Sequence, residues 1–294
     1  MIDTSQVTVI IPHLGGTFEA EYSLDECLIS LKETVPDMKI LVAVNGSSCV
    51  KHRNSGLVIS DQGQCKATNA AAAIVNTPWI FVTNDDMIYA PNWWENLTDF
   101  SRFGKYSISC ISPQLVEPRV GAPTFDVRPF GGAGGDFDKQ KWLDFAHFDP
   151  DKDPLYDLRT GFNLPFLIKK ELWDLIGGYD INYDPWGSNG DSDVEYKIKL
   201  AGGQPYQNRN CVVYHFSQTS GTFNPANDSY RFRNYAYFKE KWGFDRTDDG
   251  IWEATFEIPN GKERIFRPYW EGFYGKQVVR GGLRGMNLGN TYGD

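Results

Sequence analysis

Nowhere does the sequence hold an uninterrupted apolar run approaching the ~18 residues that a membrane-crossing helix needs, so no transmembrane span is expected. Peripheral association with a membrane stays open. There is no C-x-x-C pair either. The five cysteines (Cys27, Cys49, Cys65, Cys110 and Cys211) are odd in number and widely spaced, which argues against a disulfide framework or a zinc ribbon and for reduced thiols in a cytoplasmic setting. The opening MIDTSQ has no basic stretch leading into an apolar segment, so no secretory signal is expected. Positive charge is in short supply: 29 Lys and Arg stand against 38 Asp and Glu, a net charge of -9. That balance argues against a nucleic-acid partner or a broad anionic-membrane surface, although local basic groups could still hold phosphates.

What is present is apolar and aromatic. At 294 residues with 41% apolar content, the chain can bury the core of one large α/β domain or two smaller ones. Nine Trp and fifteen Tyr offer flat faces on which sugars stack, and equally bulky filler for a core.

The stretch 77–91, TPWIFVTNDDMIYAP, organises the rest. Trp79 to Val82 are uncharged, aromatic or β-branched, and predict a strand buried on both faces. Asn84, Asp85 and Asp86 then fall at its carboxyl end, which is where ligands bind in an open α/β sheet. Adjacent carboxylates repel unless a cation or several donors hold them, so a divalent metal carrying phosphates is one natural partner. A polar turn ending a strand is the plainer alternative, and acid pairs are too common in this composition to decide it alone.

Around it, VTVIIP (7–12) predicts a second buried strand. It is followed by a loop, 13–17, in which Gly15 and Gly16 let the backbone approach a ligand closely. A helix is expected over 22–35, with Ser23 as cap and Leu24, Cys27, Leu28, Leu31 and Val35 on one face. KILVAVNGS (39–47) supplies the next strand and completes a β-α-β unit, which demands a parallel pair and a right-handed crossover. A short strand at 57–60, an Ala-rich helix at 64–75 with Lys66 and Asn69 near its start, and a helix from Pro91 to about Phe100 complete a nucleotide-binding half.

From 113 to 159 the periodicity fails, and a stretch of that length without clear elements is expected to be a lid or a substrate loop. Order returns with a strand at 166–168 and a short helix at 170–176 closed by Gly177-Gly178. Next come a turn at 184–187 carrying Trp186 and a helix opened by Asp191 and Asp193, where acids complement the helix N-terminus. A strand at 211–215 ends in His215, and an aromatic-rich helix spans 229–242.

Taken together, VNGS after the second strand, NDDM after the central one, and WGSNGDSDVEYKIKLAGG followed by VVYH resemble family 2 glycosyltransferases of the GT-A fold, over about residues 6–243. KATNAAAAIVNTPWIFVTNDDM, GGYD and KEKWG are similar to the same family. The resemblance implies an α/β GT-A domain over 1–250 with a mostly parallel central sheet flanked by helices. Residues 1–100 would form the nucleotide-sugar half and 101–250 the acceptor half, with 251–294 an unassigned tail.

Carried over by position, the resemblance implies donor contacts at Pro12, His13, Asn45, Lys66, Asn84 and Asp85, and metal ligands at Asp86 and His215. It implies a catalytic base at Asp191, with Asp193 as alternative base, and an aromatic platform for an acceptor sugar at Trp186. Asn45 and Asn84 stand where relatives carry acids, so hydrogen bonding is kept and charge is lost. The implied reaction is inverting transfer of a sugar from a nucleotide diphosphate sugar to an acceptor hydroxyl, that of a glycan or another molecule. Oxygen ligands with imidazole favour Mn²⁺ or Mg²⁺ as cofactor. Two other readings stay open: a glycan-binding or scaffold protein that keeps the fold without turnover, and a nucleotidyltransferase, which shares the first half.

Overall fold

The computed structural model of the chain describes residues 1–46, 55–59, 63–103, 106–118, 126–146, 158–217 and 224–242. Ser47 of the VNGS motif, the DPDKDP stretch at 149–154 and the tail at 251–294 lie outside the described residues. Among the described residues ten strands form one sheet: β1 (Val7–His13), β2 (Lys39–Asn45), β3 (Ser55–Ile59), β4 (Trp79–Val82), β5 (Met87–Tyr89), β6 (Cys110–Glu117), β7 (Asp126–Val127), β8 (Leu158–Thr160), β9 (Phe166–Lys169) and β10 (Tyr206–His215). Their order is β3-β2-β1-β4-β9-β6-β10-β5, with β7 beside β6 and β8 beside β10. The first four strands are parallel, as their crossovers require. Beyond β4 the sheet is mixed: β9 runs antiparallel to both β4 and β6, whereas β6 and β10 are parallel.

Among the described residues seven α-helices accompany it: α1 (Phe18–Thr34), α2 (Gln64–Ile74), α3 (Trp93–Thr98), α4 (Lys139–Ala146), α5 (Lys170–Ile176), α6 (Gly190–Leu200) and α7 (Asp228–Trp242). Strands β1 and β4 are buried along their whole length, which is why they read as unbroken apolar runs. On one side of the sheet Leu24, Cys27, Leu28 and Leu31 of α1 and Trp93, Trp94 and Leu97 of α3 pack with Val9, Phe81 and Leu115. Helix α2 turns small residues inward, Ala67, Ala71 and Ala72, together with Trp173, Val194, Ile198 and Trp242 in a second cluster. Each fully buried Leu or Val in these clusters contributes about 1.5–3 kcal/mol relative to exposure.

Three boundaries depart from the sequence expectation. Helix α1 begins at Phe18 because Thr17 caps it, its hydroxyl accepting from Ala20 N at 3.1 Å; Ser23 instead bonds back to Glu19 O at 2.7 Å inside the helix. Helix α3 begins at Trp93, since Asn92 adopts φ 64° and puts Pro91 in the preceding turn. The segment 113–159 is not a loop throughout: β6, β7 and α4 lie there, and Trp142 of α4 is buried against Phe130, Phe145 and Tyr214. Its glycine-rich turn masks the periodicity that α4 carries. No helix among the described residues is long and apolar enough to cross a membrane.

Candidate active site

Strand β4 stops at Val82, and the chain turns through Asn84, Asp85 and Asp86 into β5. Strand β5 pairs antiparallel with the end of β10, in a register that sets Met87 opposite His215. The amide of Phe216 closes the join by donating to Asp86 O at 3.0 Å. Beside it, the parallel register of β10 on β6 matches Tyr214 to Val116, so His215 reaches the level of Glu117. Three strand ends thereby bring together two carboxylates and an imidazole that lie far apart in sequence.

The two adjacent aspartates turn to different histidines. Asp85 Oδ2 lies 2.6 Å from His13 Nδ1, and Glu21 Oε1 lies 3.4 Å from the other ring nitrogen of His13. Burial alone would lower the His13 pKa, but Asp85 and then Glu21 outweigh it and raise it above the ordinary value. Asp86 Oδ2 lies 3.2 Å from His215 Nε2, while His215 Nδ1 meets Glu117 Oε1 at 2.6 Å. Burial again opposes the charge on His215, yet Asp86 and then Glu117 push its pKa up to about 10. An imidazole held by a carboxylate at one nitrogen and facing a second carboxylate with the other is the arrangement that orients a metal-binding histidine.

The remaining donor-side candidates meet at the start of α2. Asn45 Nδ2 donates to His13 O at 3.0 Å, and its Oδ1 accepts from Gly63 N at 3.0 Å, so this amide staples the ends of β1 and β2 to the entry of α2. An aspartate could not make the first of those bonds, which gives the asparagine a local reason. Asn84 Oδ1 accepts from Gln64 Nε2 at 3.1 Å. The amides of Cys65 and Lys66 donate to the Asp184 carboxylate at 2.8 and 3.0 Å. A Cβ at Gly63 would run into that carboxylate. Pro12 is buried within β1 opposite Ala43, and the Lys66 side chain is half-buried in the first turn of α2.

The acceptor-side candidates separate clearly. Asp193 is fully buried, 3.2 Å from Lys197 Nζ and 2.7 Å from Lys241 Nζ, and accepts from Trp242 Nε1 at 3.0 Å. Lys241 also reaches Asp180 at 2.6 Å, and Lys197 donates to Gly178 O. This network joins α6, α7 and the loop between α5 and α6. Burial, with Lys241 adding to it, pushes Lys197 down to about 7 against the pull of Asp193 and Asp180. Asp191 is half-buried and accepts from the Tyr179 hydroxyl at 2.6 Å. Trp186 is half-buried in the loop before α6, and its indole N–H has no hydrogen-bond partner among the described residues.

Sequence reasoning missed Glu117, Tyr179 and Asp184. Glu117 ends the apolar strand QLVE at its carboxyl end, the same signal that singles out Asp86; the other two were hidden inside GGYD and YDPWG.

Residues 8–121 match the family described as Glycosyl transferase family 2. A comparison with curated protein sequences finds no match. Among solved structures, the chain is similar to "GalNAc-T7 with UDP, GalNAc and Mn2+" at 18% identity and TM-score 0.53, over 81% of this chain and 48% of that one. It therefore spans about half the length of that protein. It is also similar to "Mannosyltransferase PcManGT from Pyrobaculum calidifontis in complex with GDP-Man and Mn2+" at 15% identity and TM-score 0.50, over 98% of this chain and 76% of that one. Residues 8–121 thus match the Glycosyl transferase family 2 model, and the fold is similar to that of these two solved structures over most of the chain.

Proposed function

We propose that the chain transfers a sugar, with inversion, from a nucleotide diphosphate sugar to an acceptor hydroxyl, using Asp86 and His215 to hold a divalent metal and Asp191 as the base. The observation that carries this reading is the convergence of Asp86, His215 and Glu117 from three strand ends at the carboxyl edge of the sheet. The donor set fits Mn²⁺ or Mg²⁺: one carboxylate oxygen and one imidazole nitrogen, the latter fixed from behind. Among the described residues no group of three or more His, Cys, Asp or Glu side chains is arranged to hold a metal ion, so positions beyond Asp86 and His215 would go to phosphate oxygens and water. When bound, such an ion neutralises the charge that develops on the departing diphosphate.

The chain's own residues do the rest. Asp85, paired with His13, lies beside Asp86 without adding an uncompensated charge to it. Trp186, half-buried before α6, offers a ring face to the acceptor. Asp191 takes the proton from the attacking hydroxyl on the face opposite the diphosphate. Asp193, held by two lysines, anchors the helix that presents Asp191. The complexes of the two similar structures suggest UDP- and GDP-linked sugars as the donors to try, with Mn²⁺.

The anomeric configuration of the product, read by NMR, tests inversion, and Asp191→Asn tests the base. Transfer by that variant should fall by roughly 10² or more, with donor and metal affinity near wild type. A product that retains the donor configuration would overturn the inverting assignment.

A further inference from the structure

Between α5 and α6 the chain passes through Gly178, Tyr179 and Asp180 before reaching the Asp191 helix, and Tyr179 occupies a more constrained place there than a core aromatic needs. Its backbone is clasped by one side chain. Asn69 of α2 donates from Nδ2 to Tyr179 O at 2.7 Å and accepts from Tyr179 N at 2.8 Å on Oδ1. Its ring lies between Phe166 and Trp173, edge-on to both, with centroids at 6.4 and 5.5 Å. One edge of the ring lies beside the first residue of α6, where a Cβ on Gly190 would sit 3.3 Å from Cδ1, so a glycine there leaves room for it. Only 3% of Tyr179 is exposed, yet its hydroxyl reaches Asp191 Oδ1 at 2.6 Å. Burial, and after it the charge of Asp191, push the phenol well above its ordinary pKa, so it stays a donor.

We infer that Tyr179 is the positioning residue of the base: clasped through its backbone by Asn69 of the donor-side helix, it fixes the plane of the Asp191 carboxylate by donating a hydrogen bond to it. Several kinds of observation agree on this. The backbone clasp removes freedom from Tyr179. The lack of a Cβ at Gly190 leaves room for the ring at the start of α6. The bond itself is short and donated to a charged acceptor, the stronger class of hydrogen bond. A carboxylate at the first turn of a helix otherwise rotates about two side-chain torsions, and an acceptor hydroxyl aligned with the anomeric carbon tolerates little misplacement of its base. Helix α2 is shared: Gln64 at its first turn holds Asn84, beside the Asp85–Asp86 pair, and Asn69 further along holds Tyr179. One rigid element thus sets the donor-side carboxylates and the base relative to each other. During transfer the proton of the acceptor hydroxyl passes to Asp191 as the new glycosidic bond forms and the diphosphate leaves; Tyr179 keeps its own proton throughout.

This inference rests on Asp191 being the base, and a double-mutant cycle separates the two claims. Transfer is measured with a UDP- or GDP-linked sugar and Mn²⁺ for the wild type, Tyr179→Phe, Asp191→Asn and the double variant, with donor KM, metal half-saturation and thermal midpoint recorded for each. Tyr179→Phe should lower kcat about tenfold while leaving donor KM and metal half-saturation near wild type. In the Asp191→Asn background the same change should have no further effect, because the hydroxyl then has no base to position. Equal losses from Tyr179→Phe in both backgrounds would make the hydroxyl merely structural and overturn the inference. A normal kcat for Tyr179→Phe beside a slow Asp191→Asn would overturn it and leave the base assignment standing. Normal turnover by Asp191→Asn would remove the base assignment, and the inference with it. Should Tyr179→Phe lose thermal stability, Asn69→Ala, which loosens the clasp and keeps the hydroxyl, gives a second reading: it should lower kcat in the wild-type background and leave Asp191→Asn unaffected.

Discussion

His215 is held from behind by Glu117, with Nδ1 2.6 Å from Oε1, which leaves Nε2 facing Asp86 at 3.2 Å. The pairing follows from the register of β10 on β6 and gives the histidine one orientation and one tautomer when a cation sits at Nε2. Glu117→Gln keeps the size of the side chain and weakens the grip. It should raise the metal concentration needed for half-maximal activity by roughly 10- to 100-fold, as loss of such supporting carboxylates does elsewhere. His215→Ala should raise it as well. A metal titration unchanged in both variants would leave the histidine a structural role only.

The two acids that open α6 should part company in stability. Asp193 is buried between Lys197 and Lys241, so Asp193→Asn removes the carboxylate that the two ammonium groups share, leaving Lys241 to Asp180 and Lys197 to Gly178 O, and should cost about 3–5 kcal/mol in unfolding free energy. Asp191, half-buried at the helix start, should tolerate the same change with little loss. Chemical denaturation of both variants checks this, and equal stabilities would mean that the lysine network does not anchor α6.

Asn45→Asp tests why an amide stands at the end of β2, where the sequence resemblance leads one to expect an acid. The carboxylate could still accept from Gly63 N but would face His13 O without a proton to give it. The expected loss is about 1–3 kcal/mol, the cost of a buried acceptor left unmet. A variant as stable as wild type would show that the staple between the two strand ends is dispensable.

Much of the fold was legible because each donor-half strand is a short apolar run closed by a turn, and each following helix carries a clear apolar or small-residue face. The boundaries of α1 and α3 slipped because single residues set them: the hydroxyl of Thr17 and the left-handed backbone of Asn92. Asp86, His215 and Asp191 could be picked out because each sits where an element starts or stops. Glu117 carries the same strand-end signal, but its pairing with His215 comes from the register of β6 and β10, and Tyr179 is set by a clasp from Asn69, contacts 98 and 110 residues apart in sequence. Helix α4 was hidden because it is short and follows a glycine-rich turn, and its buried Trp142 is fixed by aromatic neighbours, Phe130 and Tyr214, from outside the helix.

Stability should also respond to pH through Asp184. Burial is the largest influence on it and raises its pKa from 3.8 to about 6, against the amides of Cys65 and Lys66 and the charge of Lys66. Between those values the folded chain holds more protons than the unfolded one, so the unfolding free energy should fall as pH rises. The contribution is fully present below 3.8 and lost once the pH passes about 6. A difference of that size corresponds to about 3 kcal/mol. Denaturation between about pH 4 and 7 should therefore show a shallower slope for Asp184→Asn than for wild type; parallel slopes would assign the pH response to other groups.

The most direct test of the account is a panel of UDP- and GDP-linked sugars incubated with the chain and Mn²⁺, with release of the nucleoside diphosphate as the readout. We expect at least one donor to be turned over, and the turnover to stop in excess chelator and in Asp86→Ala. Full turnover in chelator or in Asp86→Ala, or no turnover of any donor at any metal concentration, would contradict the claim that this chain is a metal-dependent sugar transferase.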